Sequence, residues 1–438
     1  MTSHRQVFEG LGKAEGNQGS VLSMSRKLLL LTIGIYVSLT SNLGIANASD
    51  DIEFSGTIAF EPRWFWDDSL FGSDTREKGI SNSFYVMPEL DAKLSENTSF
   101  RLVGFFRYDE TDRDRTRGDV REAYLVHYRP TQLGELEMRI GLGRVFWGAT
   151  ESHHLIDIVN QTDLVENPNE EFKLGQPMIH LTLSTESGIF ELFGLPFHRQ
   201  RTFPGPNGRL GFPFLIDIDS VVYDNVYDER HFDLAFRYSH TFGYLDAGIS
   251  GFVGTNREPS FVPNFASDLP LTFSPFYTQI SQTSIDLRLQ HSGWLLKFEG
   301  LRRTGALNRL GKNEDYTAFV AGFEYSIFSL FGTVADMTLV AEWSFDDRRE
   351  RATTRFDNDL FVASRVSFND FQGTTITASA LLGNDNDSAI ASLEFSRRVS
   401  ERVSVAMELV LLNEIATDDV LFPLKNDSYL EVGLTYGF

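Results

Sequence analysis

The chain has 438 residues, with 39 Lys and Arg against 61 Asp and Glu, and a formal net charge of −22. That acidity argues against nucleic acid as a partner, because neutralising phosphates takes clustered cations. With no cysteine, disulfides, thiolate-held zinc and cysteine-ligated iron–sulfur clusters are excluded, and no motif asks for another cofactor or metal.

The N-terminus reads as an address. Residues 1–23 are polar and glycine-rich, either an upstream extension or a long n-region. Residues 24–48 read as a signal peptide: Met24-Ser25-Arg26-Lys27 is positive, Leu28 to Val37 is apolar apart from Thr32 and Gly34, and Ala46-Asn47-Ala48 offers a cleavage site. Residues 49–438 would form the mature domain. After residue 48 no run approaches the roughly 20 apolar residues of a membrane helix.

Alternation with period two then recurs to the end of the chain, the mark of strands with one apolar and one polar face. Strands are expected near 52–63, 82–94, 99–108, 119–129, 135–145, 177–184, 188–198, 231–241 and 244–254. They continue near 278–290, 293–302, 317–328, 336–346, 359–368, 373–382, 389–398, 402–412 and 428–438. Alternation is clearest in Phe319/Ala321/Phe323/Tyr325/Ile327 and Met337/Leu339/Ala341/Trp343/Phe345. It is weakest near Pro88, Gln282 and Ser388.

Long and short connections alternate along this series, from 64–81 (long) and 95–98 (short) to 399–401 (short) and 413–427 (long). The fold class expected is all-β: a transmembrane antiparallel β-barrel of about 18 strands (16–18), with short periplasmic turns and long external loops. Lipid cannot satisfy backbone N–H and C=O groups, so a membrane sheet must close on itself. Trp64, Trp66, Tyr108, Tyr128, Trp147, Trp343 and Tyr436 are expected at headgroup depth.

If the apolar set faces lipid, the other set faces a lumen. It carries Arg101, Arg107, Arg121, Arg129, Arg139, Arg237, Arg288 and Arg365, together with His127 and several carboxylates. A guanidinium on the lipid face near midplane would cost about 2–4 kcal/mol, so these arginines are expected inside. They would either brace the wall in ion pairs or form an electropositive wall segment.

The third external loop, 146–176, holds Glu151, Asp157, Asp163 and Glu166. Thr150 is placed as an N-cap and Leu155, Ile158 and Val159 share a helical face, so a helix is expected there, with Asp163 capping a second turn. His153-His154 do not make a chelating pair, since adjacent helical side chains diverge. Gly383-Asn384-Asp385-Asn386-Asp387-Ser388 lacks the glycine and distal glutamate of an EF-hand and reads as a turn. No Gly-x-Ser-x-Gly elbow is present.

The closing stretch Leu430, Val432, Leu434, Tyr436, Phe438 alternates with Glu431, Gly433, Thr435, Gly437. It resembles the terminal strand of Gram-negative outer-membrane β-barrels of the porin type. That resemblance implies integral outer-membrane localisation, with Phe438, Tyr436 and Leu434 as the signal read by the barrel assembly machinery. The run Gly143-Arg144-Val145-Phe146-Trp147-Gly148 leading into Asn160-Gln161-Thr162-Asp163 resembles proteobacterial outer-membrane proteins without naming a substrate.

Loop 146–176 is similar in position to the loop that folds into the barrel and sets the constriction in general porins, an outward cap being the alternative. Its carboxylates would then oppose the arginine-bearing strands across a gap. The function implied is passive diffusion of small hydrophilic solutes through a charge-lined lumen, with no bond made or broken. The alternatives are a dedicated conduit for anionic or carboxylated substrates, and an outer-membrane hydrolase. Lipid and lipopolysaccharide are the expected surroundings, and a homo-oligomer is compatible with the sequence.

Overall fold

The computed structural model describes residues 51–71, 76–264 and 272–438. The leader expectations for 1–23 and 24–48 lie outside the described residues. Among those described, 18 antiparallel strands form one closed barrel.

The first strand, β1, runs Ile52–Phe60 and resumes at Arg63–Phe65 after a break at Pro62. Gly79–Ser81 and Ser83–Ser95 make β2, followed by β3 (Thr98–Asp109), β4 (Arg117–Pro130), β5 (Glu135–Gly143), β6 (Gln176–Thr185) and β7 (Gly188–Leu195). Next come β8 (Asp233–Phe242), β9 (Leu245–Thr255), β10 (Gln279–His291), β11 (Trp294–Thr304), β12 (Tyr316–Ile327) and β13 (Asp336–Asp346). The circuit finishes with β14 (Asn358–Ser367), β15 (Thr375–Gly383), β16 (Ala389–Arg398), β17 (Val403–Glu414) and β18 (Tyr429–Gly437).

Each strand pairs with its sequence neighbour, and β18 returns to β1 through Thr57↔Gly437, Ile58↔Tyr436, Ala59↔Thr435 and Phe60↔Leu434. Phe438 extends the seam, its N–H donating to the Gly56 carbonyl and its carbonyl accepting from the Gly56 N–H. With Arg63–Phe65 pairing residues 429–431 as well, the seam is closed strand to strand on both sides of the break, as hydrocarbon requires.

The three stretches with weak alternation are strands too. Pro88 is accommodated where β2 has no paired residue between Val86↔Phe106 and Glu89↔Val103, so its missing N–H costs no ladder bond. Short turns lie at one end and long loops at the other, as the connection lengths indicate. The long loops add a small second sheet that alternation did not reveal: Leu215–Ile216 and Val222–Tyr223 pair with Thr272–Tyr277, which also pairs with Ser260–Asn264.

Outward positions are apolar and exposed, among them Phe106, Ile140, Leu234, Leu296, Leu393 and Leu434. Trp64, Tyr108, Trp294, Trp343 and Tyr436 are exposed on the same outer face. Trp147 is not in this set: it is buried in the loop after β5, edge-on to Phe193 at 5.6 Å. The outer face suits lipid, and no helix of the described residues is long and apolar enough to cross a membrane; the crossing is by strands. The architecture is that of an outer-membrane barrel.

One irregularity changes which side chains face in. Val103 pairs with Glu122 but Gly104 pairs with Val120, so Arg121 is the extra residue of a β-bulge in β4. A bulge re-aims side chains and shifts the alternation beyond it. Arg121 and Glu122 both point inward as a result. Below them the faces exchange: Tyr128 lies opposite inward Glu137, and Arg129 lies opposite outward Leu136. Arg129 and His127 are therefore on the outer face, contrary to the expectation for both, and Tyr128 is not part of the outer aromatic set. Next to the terminal Pro130, Arg129 can reach headgroups by snorkelling.

Candidate functional site: the lumen and its inward loop

The inward arginines on the strands are met by carboxylates at contact distance. Arg101 reaches Glu89 at 2.6 Å, Asp91 at 2.5 Å and Glu122 at 2.9 Å. Arg107 holds Glu61 at 2.7 Å and Glu166 at 2.8 Å. Arg121 lies 2.5 Å from Asp163 and 3.2 Å from Asp119. Arg139 pairs with Glu137 at 3.2 Å and sits over the Tyr124 ring, while Arg237 pairs with Asp286 at 2.6 Å. Arg365 is 3.3 Å from Glu151. Arg288 differs: it is exposed and donates to the Gly148 carbonyl at 2.8 Å. Most of the arginine charge is thus neutralised by direct contact.

The loop 146–176 runs inside the barrel. Asn160 ties its two ends together, accepting from the Val145 N–H at 2.9 Å and donating to the carbonyls of Gly143 and Leu174. Trp147, Ile156, Ile158 and Val159 are buried against Met178, Phe193, Leu195, Ala235, Phe252, Ile280, Leu301, Tyr316 and Ala318. Those wall residues are apolar at inward positions of β6 to β12, where a water-facing wall would carry polar side chains. They mark where the loop lands, and this break in the alternation is the signal that the sequence reading passed over. Burying each large aliphatic side chain is worth about 1.5–3 kcal/mol.

The loop carboxylates do not stand across a gap from the arginines. Asp163, fully buried, contacts Arg117 and Arg121 and accepts from Thr202 Oγ1 at 2.6 Å. Burial works against the Asp163 charge, but the two guanidiniums outweigh it and hold its pKa below the usual carboxylate range. Glu166 joins Arg107. Asp157 faces Lys173 of its own loop at 3.5 Å, and burial pushes its pKa up. Glu151, at the tip, reaches Arg365 and lies 3.9 Å from Lys297.

The expected helix is absent from 150–160, and the reason is visible in the hydrogen bonds. Ala149 and Thr150 N–H donate to Glu299 on β11, at 2.5 and 2.9 Å. Those of Glu151 and Ser152 donate to Glu342 on β13, at 2.9 and 2.8 Å. Ile156 N–H adds a bond to Glu299 at 3.2 Å. Thr150 Oγ1 lies 2.8 Å from both Glu299 and the His153 carbonyl, two acceptors for its single proton, instead of accepting from the next turn as an N-cap does. Asp163 likewise spends its side chain on arginines and does not cap a turn. Strand carboxylates have replaced the helical acceptors.

His153 and His154 are packing residues: His153 stacks on Phe356 at 4.3 Å and His154 meets Phe146 edge-on at 4.7 Å. Burial pushes the His153 imidazole down to about 4. In the Gly383–Ser388 turn, Gly383 N–H bonds the Ser388 carbonyl and Asp385 is engaged by Arg349 at 3.0 Å.

Beside the loop, part of the wall stays open to water. Arg365 on β14 and Glu394 on β16 face inward and are exposed, as are Glu151 and Glu171 on the loop. The enclosing walls push the Glu171 carboxyl up, and the nearby Glu394 charge adds to this. Ser379 and Ser392 continue the polar strip, hydrogen-bonded to each other at 2.7 Å.

No protein-family model matches the sequence, and no curated protein sequence matches it. Solved structures with a similar course of chain include Pseudomonas putida OprB, at 10% identity and TM-score 0.44 over 89% of this chain and 94% of that one. A loop-deletion mutant of OmpT, an outer membrane protein of Vibrio cholerae, has 11% identity and TM-score 0.43 over 88% and 99%. A mutant of the Rhodopseudomonas blastica porin has 11% identity and TM-score 0.42 over 88% and 100%. The assignment of fold and site rests on this chain's own strands and side chains: a closed membrane barrel whose lumen is part filled by its third loop and part lined with exposed charge.

Proposed function

We propose that the protein is a channel of the bacterial outer membrane through which small hydrophilic solutes diffuse passively. One observation carries this reading: in the half of β14 to β16 that holds Arg365, the inward side chains are charged or hydroxylic, with Arg365, Glu394 and Ser396 exposed and Thr377, Ser379 and Ser392 half-buried, while an apolar patch on β6 to β12 is covered by the loop. A lumen so divided keeps a wet strip beside the packed loop. Charged rings at such a narrowing discriminate solutes by field and size.

A dedicated conduit for anions gains less support, because the guanidiniums that would recognise them already hold carboxylates. A hydrolytic role gains none from His153 and His154, which are committed to ring packing. The secretory leader, the surrounding lipid and lipopolysaccharide, and recognition of Phe438, Tyr436 and Leu434 by assembly machinery belong to the same proposal.

Purified protein reconstituted in planar bilayers should give discrete conductance steps. Correctly folded protein that inserts without conducting would refute the channel.

A further inference from the structure

The tip of the inward loop is held differently from its middle. Residues 155–159 are packed among apolar wall residues. Residues 149–152 have no such core: their four consecutive N–H groups all donate to two carboxylates of the opposite wall, Glu299 and Glu342. The Ser152 hydroxyl adds a bond to Glu342 at 2.7 Å, and the Thr150 hydroxyl one to Glu299 at 2.8 Å.

We propose that Glu299 and Glu342 are positioning residues, a clasp that holds the loop tip across the lumen and so sets the width and charge of the wet strip; this rests on the channel reading. Both carboxylates are buried. Among the described residues Glu299 makes no salt bridge, so the loop N–H groups are what solvate its charge. Glu342 shares its charge with Lys297 at 2.6 Å. Bonds from N–H to carboxylate are charge-assisted and stronger than neutral ones. Removing either partner leaves buried polar groups unmet.

The clasp has a consequence for the passage. Glu151 lies within the clasped segment and is the loop residue that reaches Arg365. Releasing residues 149–152 would withdraw Glu151 from Arg365 and open the strip, while the packed segment 155–159 keeps the rest of the loop inside.

The test is the double variant Glu299→Ala/Glu342→Ala beside Glu299→Gln/Glu342→Gln, which keeps an acceptor oxygen at each site. The Ala pair should raise single-channel conductance and admit larger neutral polyethylene glycols. The Gln pair should fall between it and the wild type. Cleavage by a glutamyl endopeptidase after Glu151 reads tip release without any conduction and should rise in the same order.

A folded Ala pair with unchanged conductance, polymer cut-off and cleavage overturns the clasp. Should the Ala pair fail to fold, the Gln pair decides by the same readouts. Increased cleavage in the variants of a protein that never conducts would remove the channel and leave the clasp standing.

Discussion

Asp163 concentrates the logic of single side chains in this molecule. It is fully buried, and its charge is acceptable there only because Arg117 and Arg121 touch it. Breaking a buried pair by removing one partner costs about 3–5 kcal/mol, since the other charge is left uncompensated. Asp163→Ala should therefore lower the urea midpoint of the folded protein clearly, whereas Asp385→Ala, on an exposed turn pair, should leave it nearly unchanged. Equal midpoints for the two variants would contradict this account. His153 gives a pH prediction. Its pKa in the fold is depressed to about 4, so the unfolded state binds the proton first. The neutral ring's contribution is complete above the ordinary histidine pKa and is lost as pH falls toward 4. Glu170, Glu258, His154 and Arg355 are the charges that act on it. Protease sensitivity of the loop should rise over that interval, and His153→Phe should flatten the rise.

Among the elements, β1 and β18 carry the closure. Gly56 is required at the seam for space: a Cβ there would lie 2.6 Å from Phe438 Cζ and 2.8 Å from the Met87 carbonyl oxygen. The second contact is backbone and cannot rotate away. Gly56→Val should hinder closure, seen as loss of the compact, heat-modifiable band in cold detergent electrophoresis. Gly433→Ala, where a Cβ would have only ordinary contacts near 3.8 Å, should close normally. The bulge in β4 shows the opposite case, in which an irregular element creates a feature. By taking Arg121 out of the ladder it sends two adjacent residues inward, so that one binds the loop through Asp163 and the other binds Arg101.

Across the whole molecule, the outer face is apolar apart from positions such as His127 and Arg129, but the inside has two characters. An apolar patch on β6 to β12 is covered by the loop; a strip on β14 to β16 around Arg365 and Glu394 is polar and exposed. The ion-paired arginines mean that lumenal charge responds to mutation in an indirect way. Arg101 balances Glu89, Asp91 and Glu122, so Arg101→Gln should expose uncompensated carboxylate. Reversal potential under a salt gradient should then move toward cation selectivity. A shift toward anions, or none, would contradict the pairing as the determinant.

Strand number, closure and the alternation of loop lengths were legible in the sequence because each strand carries its own period-two pattern, set by lipid on one side and water on the other. Inward placement of most lumenal charges followed from the same parity. Parity failed at Arg129 and His127 because a bulge depends on how two strands register, which neither strand states alone. The missing helix at 150–160 has the same origin: a locally helical pattern yielded to acceptors on Glu299 and Glu342, some 150 to 190 residues away. Local alternation thus decided that the chain makes a barrel, and long-range pairing decided what fills it.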